Sequence, residues 1–193
     1  MTKTLYLMRH GETLFNELKL KQGWTDSPLT ENGIEQAKKV AEYFKKNNIA
    51  FKSAYSSTQE RATDTLKIVT DADYVQLKGL KERNFGYREA TPERFDPKRD
   101  PGQVVLDQYF VDQGGESIEE VLTRFSQALH KVMEEDKNDP ILAVGHGVAN
   151  YLFFSSVENP KEIEYSRANC SIIKLKYENG TFTIEDMIDP LND

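Results

Sequence analysis

Two apolar runs in this chain end in the same way. Leu5-Tyr6-Leu7-Met8 runs into Arg9-His10-Gly11-Glu12, and Ile141-Leu142-Ala143-Val144 runs into Gly145-His146-Gly147. A short continuous apolar run bounded by turn residues reads as a strand buried on both faces. Each run therefore delivers a histidine to the C-terminal end of a strand, the edge of an open α/β sheet where ligands bind. The glycine beside each histidine lets another group approach the backbone closely. One such step arises by chance. Two of them, in a chain with three histidines, constrain fold and chemistry together.

The rest of the pattern alternates strands with helices, which predicts an α/β chain. A strand over residues 3–8 is followed by a polar loop containing Gly23 and Asp26-Ser27-Pro28. Thr30 is placed to cap a helix running to about residue 46, with Ile34, Ala37, Val40, Ala41 and Phe44 on its apolar face. A short strand near Ala54-Tyr55 leads into Ser56-Ser57-Thr58, cap-type residues for a helix through about residue 69, and residues 75–77 suit a third strand. Ser117 and Glu120 form a capping-box pattern before Ile118, Val121, Leu122, Phe125, Leu129 and Val132 at helical spacing. Pro140 precedes the strand that ends at His146, a helix is expected after Gly147, and Asn179-Gly180 between apolar runs signals a hairpin. Residues 84–115, with Pro92, Pro97 and Pro101, fit none of this and read as a lid or wall over a site.

At 193 residues the chain suits one domain with a full core. Hydrophobic residues at 38% and charged residues at 30% indicate a folded domain rather than a disordered one. No apolar stretch reaches the roughly 18–20 residues needed to span a bilayer. The N-terminus has no signal-peptide pattern, and Cys170 is the only cysteine, so no intrachain disulfide can form and a cytoplasmic location is expected. The net charge of −7 disfavours nucleic acid or an anionic membrane as partner. It leaves room for an anionic small molecule in a local cluster of arginines. Assembly as a homodimer stays open.

Arg9 adjoins His10, and Arg61 lies near the first turn of a helix that follows a strand, a position that favours an anion. Guanidinium forks match phosphate oxygens. An imidazole among them can attack phosphorus and carry the phosphoryl group, and a nearby carboxylic acid can protonate the departing oxygen. Spacing alone does not choose that acid among Glu12, Glu82, Glu89 and Glu116. Glu12 and Glu116 also suit structural roles, capping helices or orienting arginines. His130, on a helix beside Lys131 and Glu134, reads as solvated, and Cys170 as a small buried residue. Trp24, Phe85, Tyr87 and Phe95 are candidates for a pocket wall or for core.

The ordered blocks resemble the histidine phosphatase superfamily, the phosphoglycerate mutase-like group, across most of the chain. They are Arg9-His10-Gly11-Glu12-Thr13 with Asn16; Gln22-Gly23-Trp24 and Asp26-Ser27-Pro28-Leu29-Thr30 with Gly33; and Ser56-Ser57 through Arg61-Ala62 with Thr65. Leu80-Lys81-Glu82-Arg83-Asn84-Phe85-Gly86, Gly115-Glu116-Ser117 and Gly145-His146-Gly147 complete the series. The resemblance implies a three-layer fold, a mainly parallel sheet flanked by helices, with 84–115 as a small lid-like insertion over the site. It implies that His10 is the nucleophile, that Arg9, Arg61 and a neutral or protonated His146 bind the phosphoryl oxygens, and that Glu82 is the acid. It places Asn16, Gln22, Gly23 and Gly147 around phosphate or substrate, and implies no metal.

Two other classes compete. Two histidines with carboxylates suit a metal centre, but the adjoining arginines repel a cation. A phosphate-binding regulatory module would keep the fold without the chemistry. Within the family, Glu82-Arg83 and Phe85-Gly86 resemble the mutase block, with Arg83 placed for a substrate carboxylate. Against that, Asn84 stands where mutases have histidine, Val148 where they have asparagine, and Tyr87-Arg88-Glu89-Ala90 lacks their lysine pattern. The expectation is a phosphatase for small phosphomonoesters without a cofactor, and the alternative is a mutase that uses 2,3-bisphosphoglycerate.

Overall fold

The strand expected over residues 3–8 is β1, Lys3–Arg9, in a computed structural model that describes residues 2–98 and 106–192. It joins β2 (Ser53–Ser57), β3 (Asp73–Leu77), β4 (Ile141–Gly145), β5 (Ile172–Glu178) and β6 (Thr181–Ile188) in one six-stranded sheet ordered β3-β2-β4-β1-β5-β6. The first four in that order run parallel. The hairpin β5–β6 adds two antiparallel strands beside β1. The sheet is therefore mixed, with a parallel half that carries both histidine steps.

Alternation along the central strands divides the core in two. Leu5, Leu7, Ile141 and Ala143 face a cluster with Phe125, Leu129 and Phe153. Tyr6, Met8, Leu142 and Val144 face a second with Val40, Phe44, Ala62 and Leu66. Helices α5 (Ile118–Glu135) and α6 (Gly147–Ser156) cover the first face, and α2 (Glu31–Lys46) and α3 (Glu60–Val69) the second. Three layers follow from strands that are apolar on both faces.

Thr30 caps α2 through Gly33, and Ser117 and Glu120 close the capping box of α5. Two boundaries differ from expectation. The loop after β1 contains a one-turn helix, α1 (Leu14–Glu17), in which Thr13 and Asn16 cap each other reciprocally. Helix α3 begins after Gln59, which makes no side-chain cap. Ser57 belongs to β2, and its hydroxyl has another partner. Gly11 and Gly33 cross closely, and a Cβ on Gly11 would sit 2.6 Å from the Gly33 carbonyl oxygen.

The segment 84–115 contains two short 3₁₀ turns, Gly86–Arg88 and Glu93–Phe95, and the helix α4 (Asp107–Asp112). Its middle, including Pro101, lies outside the described residues. Backbone bonds lay it along the chain before the site: Lys21 N–H to Thr91 O at 2.9 Å, Ala90 N–H to Lys21 O at 2.8 Å and Glu93 N–H to Lys19 O at 3.0 Å. His130 is not solvated as expected. Its ring is half-buried, 4.9 Å from Phe182 and 5.8 Å from Tyr177 between centroids, and Nδ1 bonds Ser126 O at 2.8 Å. Among the described residues no helix is long and apolar enough to cross a membrane.

Candidate active site

Strand register builds the site. In the parallel pair β1–β4, Met8 lies opposite Val144 and Arg9 opposite Gly145. The next residue on each strand is a histidine, and their rings stand 5.2 Å apart between centroids. Ser56 of β2 is opposite Val144, so Ser57 arrives beside His146 and its Oγ lies 2.7 Å from Nε2. Both histidines are buried. The sheet edge thus fixes three polar side chains without any flexible segment.

The tautomer of His10 follows from its partner. Nδ1 lies 2.8 Å from the Gly11 carbonyl oxygen. A carbonyl can only accept, so Nδ1 donates and Nε2 keeps its lone pair. His10 lines the cavity, and its carbonyl is held by Cys170 N–H at 3.3 Å and Asn169 Nδ2 at 3.1 Å. Burial, then the charges of Arg61 and Arg9, hold its imidazole well below the usual histidine range. The same causes, burial first and then Arg61, act on His146. Both rings are neutral near pH 7, as a nucleophilic nitrogen requires.

Arg61, fully buried, is gripped by the loop that precedes α2. Nη2 donates to Gly23 O at 2.8 Å, and Nη1 to Thr25 O at 3.1 Å and to Asp26 at 2.8 Å. Arg9 donates through Nη1 to Arg167 O, and its guanidinium packs 3.3 Å from where a Cβ on Gly147 would stand. After these bonds are made, Arg9 Nε, Arg61 Nε and His146 Nδ1 are buried with no hydrogen-bond partner among the described residues. Buried donors rarely go unpaired. With Ser57 Oγ giving its proton to Nε2, His146 Nδ1 carries the ring hydrogen, and three donors on residues adjoining one imidazole then fit a tetrahedral oxyanion.

Glu82, also buried, receives three backbone N–H groups: Arg83 at 2.8 Å and Ala149 at 2.9 Å on Oε1, and Val148 at 2.9 Å on Oε2. Two of these donors lie in the first turn of α6, where the helix dipole favours a carboxylate. Oε2 keeps room for one more bond, and Glu82 lines the cavity. Arg124 supports this segment through Gly79, Lys81 and Glu82 carbonyls at 2.9, 2.7 and 2.9 Å, and pairs with Glu116.

The cavity encloses about 660 Å³ and is lined by Arg9, His10, Asn16, Gln22, Glu82 and Gly147 of the expected residues. Asn16 Oδ1 accepts from Thr13 N–H and Asn169 Nδ2, both at 3.2 Å, which leaves its own amide N–H groups to donate. The amide of Gln22 is spent on Thr13 and Ser27. Arg61 and His146 are buried and are not among the lining residues, and the Gly23 carbonyl serves Arg61. Arg83 does not meet the expectation of binding a substrate carboxylate. Its guanidinium instead bonds Glu116 O at 2.8 Å and pairs with Asp107 at 2.8 Å. The adjacent Glu82 takes the cavity side. Of the aromatics, Phe85 lines the cavity, whereas Tyr87 and Phe95 are exposed.

Sequence reasoning missed Ser57, Gln59 and Asn169. Ser57 and Gln59 stood inside a matched block, where Ser57 resembled a cap residue and Gln59 carried no signal of its own. Asn169 carries no local signal. Among the described residues, no group of three or more His, Cys, Asp or Glu side chains is placed to hold a metal ion.

The neutral histidines have a consequence for stability. Their folded-state affinities for protons are depressed, so the unfolded chain takes up protons that the folded one refuses. Stability should fall as pH drops below about 6.5, by up to about 1.4 kcal/mol per pH unit for each group. Urea unfolding between pH 7.5 and 5 should show this fall reduced in His10→Ala. Equal slopes in the two proteins would contradict it.

The profile of the "Histidine phosphatase superfamily (branch 1)" matches residues 5–190. The chain is 28% identical over 185 residues, 93% of its own length and 91% of the other's, to a Bacillus subtilis protein called "Uncharacterized phosphatase PhoE". It is 33% identical over 188 residues, 91% and 86% of the two chains, to a Yersinia pestis protein called "Probable phosphoglycerate mutase GpmB". The crystal structure of a phosphoglycerate mutase from Bacillus anthracis superposes with a TM-score of 0.82 at 28% identity, covering 96% of this chain and 92% of that one. A profile match that runs from the first strand to the last, over a sheet whose register brings both strand-end histidines together, shows that the chain belongs to the histidine phosphatase superfamily.

Proposed function

We propose that the protein is a phosphomonoesterase for small phosphorylated metabolites, acting through a phosphohistidine at His10. The observation that carries this reading is the set of three unpartnered buried nitrogens, Arg9 Nε, Arg61 Nε and His146 Nδ1, next to a neutral imidazole whose Nε2 lone pair is free. These donors bind the phosphoryl oxygens, and the amide of Asn16 adds another. The Nε2 lone pair of His10 attacks phosphorus. The bond from phosphorus to the ester oxygen breaks, its electron pair leaves with that oxygen, and Glu82 supplies the proton. Water then attacks phosphorus, the P–N bond breaks, and the Glu82 carboxylate takes the proton from the water. No metal or cofactor takes part. Leu20, Phe85, Leu106, Phe110 and Val148 make part of the wall apolar, which suits the carbon portion of an ester.

A second reading, a mutase dependent on 2,3-bisphosphoglycerate, has one observation in its favour. Arg94, Lys98 and Arg167 line the same cavity, and among the described residues none is held in an ion pair. Cations of that kind suit a second anionic group on the substrate. The two readings separate when the protein is incubated with 3-phosphoglycerate, with and without 2,3-bisphosphoglycerate, while inorganic phosphate and 2-phosphoglycerate are followed. Phosphate release that does not need the bisphosphate is expected. Rapid isomerisation that needs it, with little phosphate released, would establish the mutase instead.

A further inference from the structure

Glu89 lies outside the cavity lining, yet it is among the most heavily bonded carboxylates near the site. Its Oε1 accepts Trp24 N–H at 2.8 Å and Phe85 N–H at 3.0 Å. Its Oε2 accepts Thr25 N–H at 2.5 Å and Thr25 Oγ at 2.7 Å. Glu89 thus ties the loop of residues 23–25 to the segment after Glu82. A Cβ on Gly23 would stand 2.3 Å from Oε1, so the tie requires glycine there.

The loop it holds is the one that grips Arg61. The carbonyls of Gly23 and Thr25 take Nη2 and Nη1 of the guanidinium, and with the Nη groups occupied Nε is the atom left without a partner. Gly23 O also accepts Gln59 Nε2 at 2.6 Å, and Gln59 Oε1 receives Glu82 N–H at 2.9 Å. The Trp24 indole N–H reaches Glu82 O at 2.9 Å. One carboxylate therefore fixes a loop that touches both the arginine and the acid.

We propose that Glu89 is a positioning residue, which sets the Arg61 guanidinium for the phosphoryl group through the Gly23–Thr25 loop. The assignment rests on the phosphoryl site described above. Charge and position make opposite demands on a substitution. A carboxylate near an anion site repels the anion, so removing its charge alone should tighten anion binding. Loss of the loop's anchor should misplace Arg61 and weaken it. Glu89→Gln keeps size and one acceptor oxygen, but sets an NH₂ group against either the Thr25 or the Trp24 and Phe85 donors.

The test is a calorimetric titration with orthovanadate of the wild type, Glu89→Gln, Arg61→Ala and the double variant. Glu89→Gln is expected to bind about tenfold or more weakly, the scale of one charged hydrogen bond. In the Arg61→Ala background the same change should cause no further loss, because a residue acting through another loses its positioning role when that one is gone and only the relief of charge remains. Trp24, the chain's single tryptophan, sits on the loop, so its emission should shift in Glu89→Gln while the thermal transition stays cooperative. Unchanged or tighter binding, or losses that add independently, would overturn the assignment. Should Glu89→Gln fail to fold, Thr25→Val, which removes one of the four bonds, carries the test. A weakening of a few-fold that vanishes with Arg61→Ala supports the proposal, and unaltered affinity refutes it. If the wild type binds orthovanadate yet hydrolyses no phosphomonoester, the proposed reaction fails and the Glu89 assignment stands.

Discussion

Replacing His10 with alanine is expected to reduce turnover of p-nitrophenyl phosphate by on the order of 10⁴-fold or more, because the covalent route disappears with its nucleophile. The side chain makes one internal hydrogen bond, to its neighbour's carbonyl, so the fold should survive. Its removal also relieves a buried ring of its desolvation. Orthovanadate affinity should persist in part, since Arg9, Arg61 and His146 remain to bind oxygens. Circular dichroism and thermal melting establish that the variant is folded, and steady-state kinetics give the loss. Activity close to wild type would mean that water attacks phosphorus directly or that another group carries the phosphoryl.

Glu82→Gln should show its effect through the leaving group. An alkoxide needs a proton as it departs, and a general acid contributes about 10²–10⁴-fold. Alkyl phosphates should lose activity on that scale. p-Nitrophenolate leaves readily without a proton, so its ester should lose much less. Glutamine also presents an amide NH₂ to the backbone N–H groups of Arg83, Val148 and Ala149, so thermal melting must accompany the kinetics. Equal losses for both esters in a folded variant would remove Glu82 from the acid's role and return the question to Glu12, Glu89 and Glu116. Of these, Glu89 and Glu116 are already fully engaged with backbone and arginine.

The central strands were legible because burial on both faces leaves an unbroken apolar run, and the long helices because one buried face leaves a 3.6-residue period. Parallel pairing of β1 with β4 converted two distant His-Gly steps into one site. No property of either run states that register, and the repeated motif showed only that each strand ends in a histidine. The failures share a cause: a residue type that suits local structure was taken by a long-range partner. Ser57 resembles a cap, yet its Oγ serves His146, across 89 positions of sequence. Arg83 adjoins Glu82, and adjacency does not tell which face a side chain takes. His130 sits at a polar-looking helical position, but the β5–β6 hairpin sets Tyr177 and Phe182 against it. Asn169 holds His10 and Asn16 from a segment with no motif, and only the folded sheet brings it there.

The measurement closest to the central claim is the phosphoenzyme itself. A reaction with p-nitrophenyl phosphate, quenched in alkali within the first turnovers, should yield protein carrying one phosphoryl group, located on His10 by peptide mass spectrometry. That group should be lost in mild acid, as a phosphoramidate is, and should disappear as substrate is exhausted at a rate no slower than turnover. A phosphoryl group on His146 or another residue, or steady turnover with no phosphoryl-protein at any time, would contradict the account.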